Sequence, residues 1–120
     1  MGYYSDVALC LTKNGMDQLK SALVQAERNN PENFAAIKML IAGEPSKIDE
    51  RTGAVVFLWK GEKWYEEFAE MAFVAKLMDS LPSEDFLFIR LGEDHDDIET
   101  RGSYRCNPQM VRITREIAAD

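Results

Sequence analysis

Val7-Ala8-Leu9-Cys10-Leu11-Thr12 contains no charged side chain and is apolar almost throughout. Such a run predicts a strand at the centre of a sheet, covered on both faces. Cys10 inside it reads as a small core residue, the usual place of a free cysteine. Immediately after the strand, Asn14 is expected to cap a helix, with Asp17 at the third helical position favouring the positive end of the dipole. Met16, Leu19, Leu23 and Ala26 then recur at helical spacing, and Asn29-Asn30-Pro31 stops the repeat. Pro31 can open a second helix capped by Asn30, with Gly43 just past its end. Phe34, Ile37 and Ile41 form its apolar stripe, although Ile37, Met39 and Ile41 also alternate as a strand would; the helix is the favoured reading.

Farther along, residues 48–59 read as a hairpin, turning at Asp49-Glu50-Arg51-Thr52-Gly53 into the β-branched and aromatic run Ala54-Val55-Val56-Phe57-Leu58-Trp59. The longest helix is expected from Trp64 or Tyr65 to Leu81, ended by Pro82, with Phe68, Met71, Ala72, Ala75 and Met78 as its stripe. Phe86-Leu87-Phe88-Ile89-Arg90-Leu91 is a further strand, with Phe86 and Phe88 on one face and Leu87, Ile89 and Leu91 on the other. Residues 98–104 suit an adjoining short strand or hairpin, and residues 110–117 a half-exposed edge strand. The order β-α-α-β-β-α-β-β predicts one α+β domain over residues 1–120, a mostly antiparallel sheet with about three helices packed on one face.

The 120 residues carry 21 acidic and 14 basic side chains, a formal charge of −7, and are 46% hydrophobic. One globular core is thereby within reach, and a disordered chain or a disulfide scaffold is excluded. The charge is concentrated: residues 84–99 hold seven acids and one base, Arg90, whereas residues 100–120 hold four arginines and two acids. This distribution argues against direct binding of nucleic acid, which calls for a basic patch.

The dense part is Gly92-Glu93-Asp94-His95-Asp96-Asp97-Ile98-Glu99. It follows a strong strand, where a rigid scaffold can present a loop. In an extended chain Glu93, His95, Asp97 and Glu99 would share one face, with Asp94 and Asp96 on the other. Carboxylate clusters can hold Ca²⁺ or Mg²⁺, so a divalent-metal site or metal-dependent enzyme built on Glu93, Asp94, His95, Asp96 and Asp97 is one alternative. The EF-hand pattern fails, because Ile98 falls on a ligand position and Glu99 on the turn glycine. His95, the sole histidine, could report pH or act as an acid, but no nucleophile motif accompanies it. The plainer reading is a solvated acidic turn whose carboxylates pair with Arg101 and Arg105.

Trp59, Trp64 and Tyr65 crowd one junction, either as a contact patch or as filling between sheet and helix. Nucleotide-binding, zinc-protease and esterase motifs are absent, and no cofactor is expected. No stretch approaches a membrane span, and the first residues do not read as a secretory signal. With Cys10 and Cys106 far apart and forming no CxxC motif, a cytoplasmic protein is expected.

Three passages carry a resemblance: Tyr3-Tyr4-Ser5-Asp6-Val7-Ala8, Lys63-Trp64-Tyr65, and Phe88-Ile89-Arg90-Leu91-Gly92-Glu93-Asp94-His95-Asp96-Asp97-Ile98-Glu99. Together they are similar to small bacterial and phage or prophage proteins of unassigned function. The resemblance implies an accessory protein of mobile-element type and transfers no catalytic residue. The leading expectation is therefore a non-enzymatic protein that binds an unknown protein partner. The contact residues would be Glu93, Asp94, His95, Asp96, Asp97 and Glu99, together with Trp59, Trp64 and Tyr65. A narrower form is inhibition of a host nucleic-acid-binding protein by charge mimicry. Self-association through an edge strand is a further expectation.

Overall fold

The computed structural model describes residues 2–102. The strand expected at residues 110–117, the end of that expected at 98–104, Arg105 and Cys106 lie outside the described residues.

Five strands form one antiparallel sheet in the order β2-β3-β1-β4-β5. They are β1 (Ser5–Leu11), β2 (Lys47–Ile48), β3 (Val55–Glu62), β4 (Phe86–Leu91) and β5 (Ile98–Gly102). The uncharged run does become the central strand: Leu9 of β1 stands between Phe57 of β3 and Phe88 of β4. Helices α1 (Lys13–Asn29), α2 (Pro31–Ile41) and α3 (Ala69–Ser80) complete the α+β order.

All three helices pack on one face. Val7, Leu9 and Leu11, with Val55, Phe57, Phe86 and Phe88, meet Leu19 of α1, Ile37 and Ile41 of α2, and Val74, Leu77 and Met78 of α3. The opposite face of the sheet gathers Cys10, Val56, Leu87 and Ile89, with Leu91 against them. The two faces of β4 thus carry the two residue sets its alternation predicts. Burying one such Leu or Phe side chain stabilises the fold by about 1.5–3 kcal/mol.

Three local expectations are corrected. The cap of α1 is Thr12, whose Oγ1 accepts from the Gly15 amide at 3.1 Å. Asn14 lies inside the helix and donates instead to Asp85 Oδ2 at 2.8 Å. Thr12 Oγ1 also donates to Asp85 Oδ1 at 2.9 Å, so one carboxylate anchors both side chains and favours the earlier cap. The last helix starts at Ala69 rather than at Trp64 or Tyr65, and the 17-residue α1 is longer than its 12 residues. Trp64 is held back because its ring packs against Trp59 and Phe88, with centroids 5.2 and 6.0 Å away. Finally, Arg101 pairs not with the acidic segment but with Asp79 of α3, at 2.7 Å.

The ambiguous residues of α2 are helical. Ile37 and Ile41 are each 1% exposed whereas Met39 is 89% exposed, so the apparent alternation does not describe a sheet face.

Candidate functional site

Antiparallel pairing brings the start of β1 beside the ends of β3 and β4 and the start of β5. Near this end β3 bulges: Ser5 opposes Glu62 and Val7 opposes Trp59, leaving Lys60 and Gly61 against Asp6. Gly61 takes φ +62°, which glycine adopts at least cost, and its amide donates to Asp6 Oδ1 at 2.9 Å. The chain then passes through Lys63, Trp64 and Tyr65 toward α3.

Arg90 organises the acidic segment. Its register partner across the β4–β5 hairpin is Glu99. Arg90 Nε donates to Glu99 Oε1 at 2.9 Å, Nη2 to Asp97 Oδ1 at 2.9 Å, and Nη1 to Asp97 Oδ2 at 3.2 Å and Ser5 Oγ at 3.1 Å. The Asp97 contact is the two-pronged guanidinium–carboxylate arrangement that fixes geometry as well as charge. Hydrogen bonding to Asp97 raises the Arg90 pKa despite its partial burial.

Tyr3 completes the lock. Its hydroxyl donates to Asp97 Oδ2 at 2.6 Å and accepts from the Asp94 amide at 3.1 Å, while its own amide donates to Tyr65 Oη at 2.7 Å. The Asp94 amide favours the phenolate, but the Asp97 hydrogen bond, desolvation and the nearby negative charges outweigh it, so the phenol is pushed up. The Tyr4 amide donates to Glu93 Oε2 at 2.7 Å. Lys63 Nζ lies 5.8 Å from the Tyr4 ring centre.

Within the loop, Asp94 O accepts from the Asp97 amide at 3.0 Å and Asp97 O from the Gly92 amide at 2.8 Å. Residues 93–97 therefore form a closed turn, and the face assignment expected of an extended chain does not apply to them. Gly92 is required by close approach, since a Cβ there would overlap the Asp97 carboxylate and the Tyr3 hydroxyl.

The acidic residues separate into two groups. Asp97 and Glu99 face inward on Arg90 and are only partly exposed, whereas Glu93, Asp94, His95 and Asp96 are exposed on the turn. Among the described residues no three His, Cys, Asp or Glu side chains are gathered so as to hold a metal ion. The hydroxyls of Tyr3, Ser5 and Tyr65 are all hydrogen-bonded within the cluster.

The aromatic candidates also separate. Trp59 and Trp64 pack against the helix-side core, and Trp59 Nε1 donates to Leu40 O at the end of α2 at 3.1 Å. Tyr65 joins the acidic end through Tyr3, its ring meeting that of Phe68 edge-on. Tyr3, Ser5 and Arg90 are not among the residues expected from sequence. A lone arginine in an acid-rich stretch, opposite Glu99 across a short hairpin, was the available signal for the last of these.

Compared with protein-family models, with curated proteins and with solved structures, the chain finds no significant match. Among the described residues, no helix is long and apolar enough to cross a membrane.

Proposed function

We infer that the chain is a small non-enzymatic accessory protein of phage or prophage type, which engages another protein through the turn at residues 93–96. One observation carries the reading. The three sequence passages behind the resemblance meet at this end of the sheet, through Tyr3 to Tyr65, Tyr3 to Asp97 and Ser5 to Arg90. The locked base supports a preorganised turn, which lowers the ordering cost of association. Its outward carboxylates suit a basic partner surface, where complementary charge raises encounter rate and specificity.

The test separates inward from outward acids. Replacing Asp94 and Asp96 together by Lys leaves the Arg90–Asp97 pair intact, so the melting temperature should barely move. Affinity capture of the partner from cells that carry the gene should be lost. Capture that survives this double substitution would overturn the assignment of the surface.

A further inference from the structure

On the helical side of the molecule residues of α1 and α3 line a cavity of about 520 Å³. This volume falls within the ~300–1,000 Å³ common for ligand sites. It runs from Gln18 to Asn29 on α1 and from Ala69 to Ser80 on α3, so it is ~16–17 Å long at ~1.5 Å per residue. Buried Ile37 and Leu77 contribute to its lining, as does Phe73.

The α1 wall is unusual in its chemistry. Gln18, Ser21, Gln25 and Asn29 follow one another at helical spacing along it, all exposed, polar and uncharged. Solvated helix faces are ordinarily charged, and α1 keeps Asp17, Lys20, Glu27 and Arg28 off this stripe. Among the described residues no Asp or Glu lines the cavity, and Lys76 is the single charged lining residue.

The geometry points to a groove that binds a short extended peptide, with its main chain along the amide stripe of α1, an apolar side chain toward Phe73 and Leu77, and a carboxylate at Lys76. From Ser21 through Gln25 to Asn29 the positions are four apart and rise ~6 Å each, close to the ~6.6–6.8 Å over which an extended chain repeats its outward amide and carbonyl groups, and Gln18 stands three positions before Ser21 at the groove's end. The small mismatch lies within the reach of flexible glutamine and asparagine side chains, which both donate and accept. About five extended residues span the groove at ~3.3 Å each. The occupant's charge follows from the described lining residues: with one ammonium and no carboxylate among them, an acidic peptide is matched, which the rest of this acidic surface would repel.

The probe is a pool of acetylated, amidated hexapeptides with Leu, Val or Phe at alternate positions and one fixed Glu, titrated into isotope-labelled protein. The expected result is movement of the side-chain amide resonances of Gln18, Gln25 and Asn29. Lys76→Gln should weaken binding of the Glu pool about three- to fivefold, the size of an exposed ion pair, and leave a matched Gln pool unchanged. The groove assignment is overturned if no resonance moves at millimolar peptide, if the shifts fall on residues 93–96 instead, or if free acetate reproduces them. A dimer by light scattering that reverts to monomer when Gln25 and Lys76 are both replaced by Glu would assign the groove to a second copy and equally overturn it.

Discussion

Tyr3 holds its proton more tightly in the folded chain than in the unfolded one, because the Asp97 carboxylate accepts its hydroxyl hydrogen bond. A raised folded pKa means that the associated stability is fully present below the usual tyrosine value. It is lost as pH rises through the folded value. In an ultraviolet titration, Tyr3 should therefore ionise above the usual tyrosine range. The component of the titration above that range should shrink in Tyr3→Phe; a profile unchanged there by the substitution would show that the hydroxyl is not so placed. Neutral conditions lie below that loss. At the same scale, Asp97 belongs to the scaffold and Asp94 to the surface, a distinction three positions apart in the chain that composition could not make.

Element boundaries turn on single hydrogen bonds. The start of α1 moved from Asn14 to Thr12 because the Asp85 carboxylate binds both side chains and leaves Thr12 Oγ1 free to accept from the Gly15 amide. Thr12→Ala should cost about 1 kcal/mol, the ordinary loss for a helix cap, lowering the melting temperature by ~3–6 °C. Thr12→Ser, which keeps the hydroxyl, should recover most of it. Asn14→Ala should cost less than Thr12→Ala, and calorimetry on the three variants would expose the reverse order if Asn14 were the cap. The delayed start of α3 has a different cause. Helical periodicity continues back to Trp64, but the sequence pattern contains nothing about Phe88, whose ring lies beside that of Trp64 in the folded chain. Such a long-range contact overrides local propensity.

For the molecule as a whole, the formal charge of −7 overstates what a partner meets. Of the seven acids in residues 84–99, Asp85 accepts from Thr12 and Asn14, Asp97 and Glu99 are held by Arg90, and Glu93 accepts from Tyr4. Glu93 nevertheless stays exposed, as do Glu84, Asp94 and Asp96. If the exposed turn steers association, the on-rate with the captured partner should fall steeply between low and physiological salt, where the screening length shortens to ~8 Å. The off-rate should change far less. Stopped-flow measurement at several ionic strengths checks this, and a salt-independent on-rate would remove the steering role.

The periodicity of the chain determined the architecture. The uncharged run at Val7 specified a central strand, the two-faced pattern of Phe86–Leu91 specified which side chains meet the helices, and Pro31 marked the start of α2. These are readable because hydrophobic burial acts on every residue of an element and leaves a repeating trace. The candidate site was legible only as a region. Which carboxylates face inward, why Gly92 has no side chain, and how Tyr3 reaches Asp97 across 94 positions were decided by the antiparallel sheet, which sets the start of β1 beside the end of β4. Hydrogen bonds and ion pairs act over a few ångströms between particular atoms, so only the tertiary arrangement selects them.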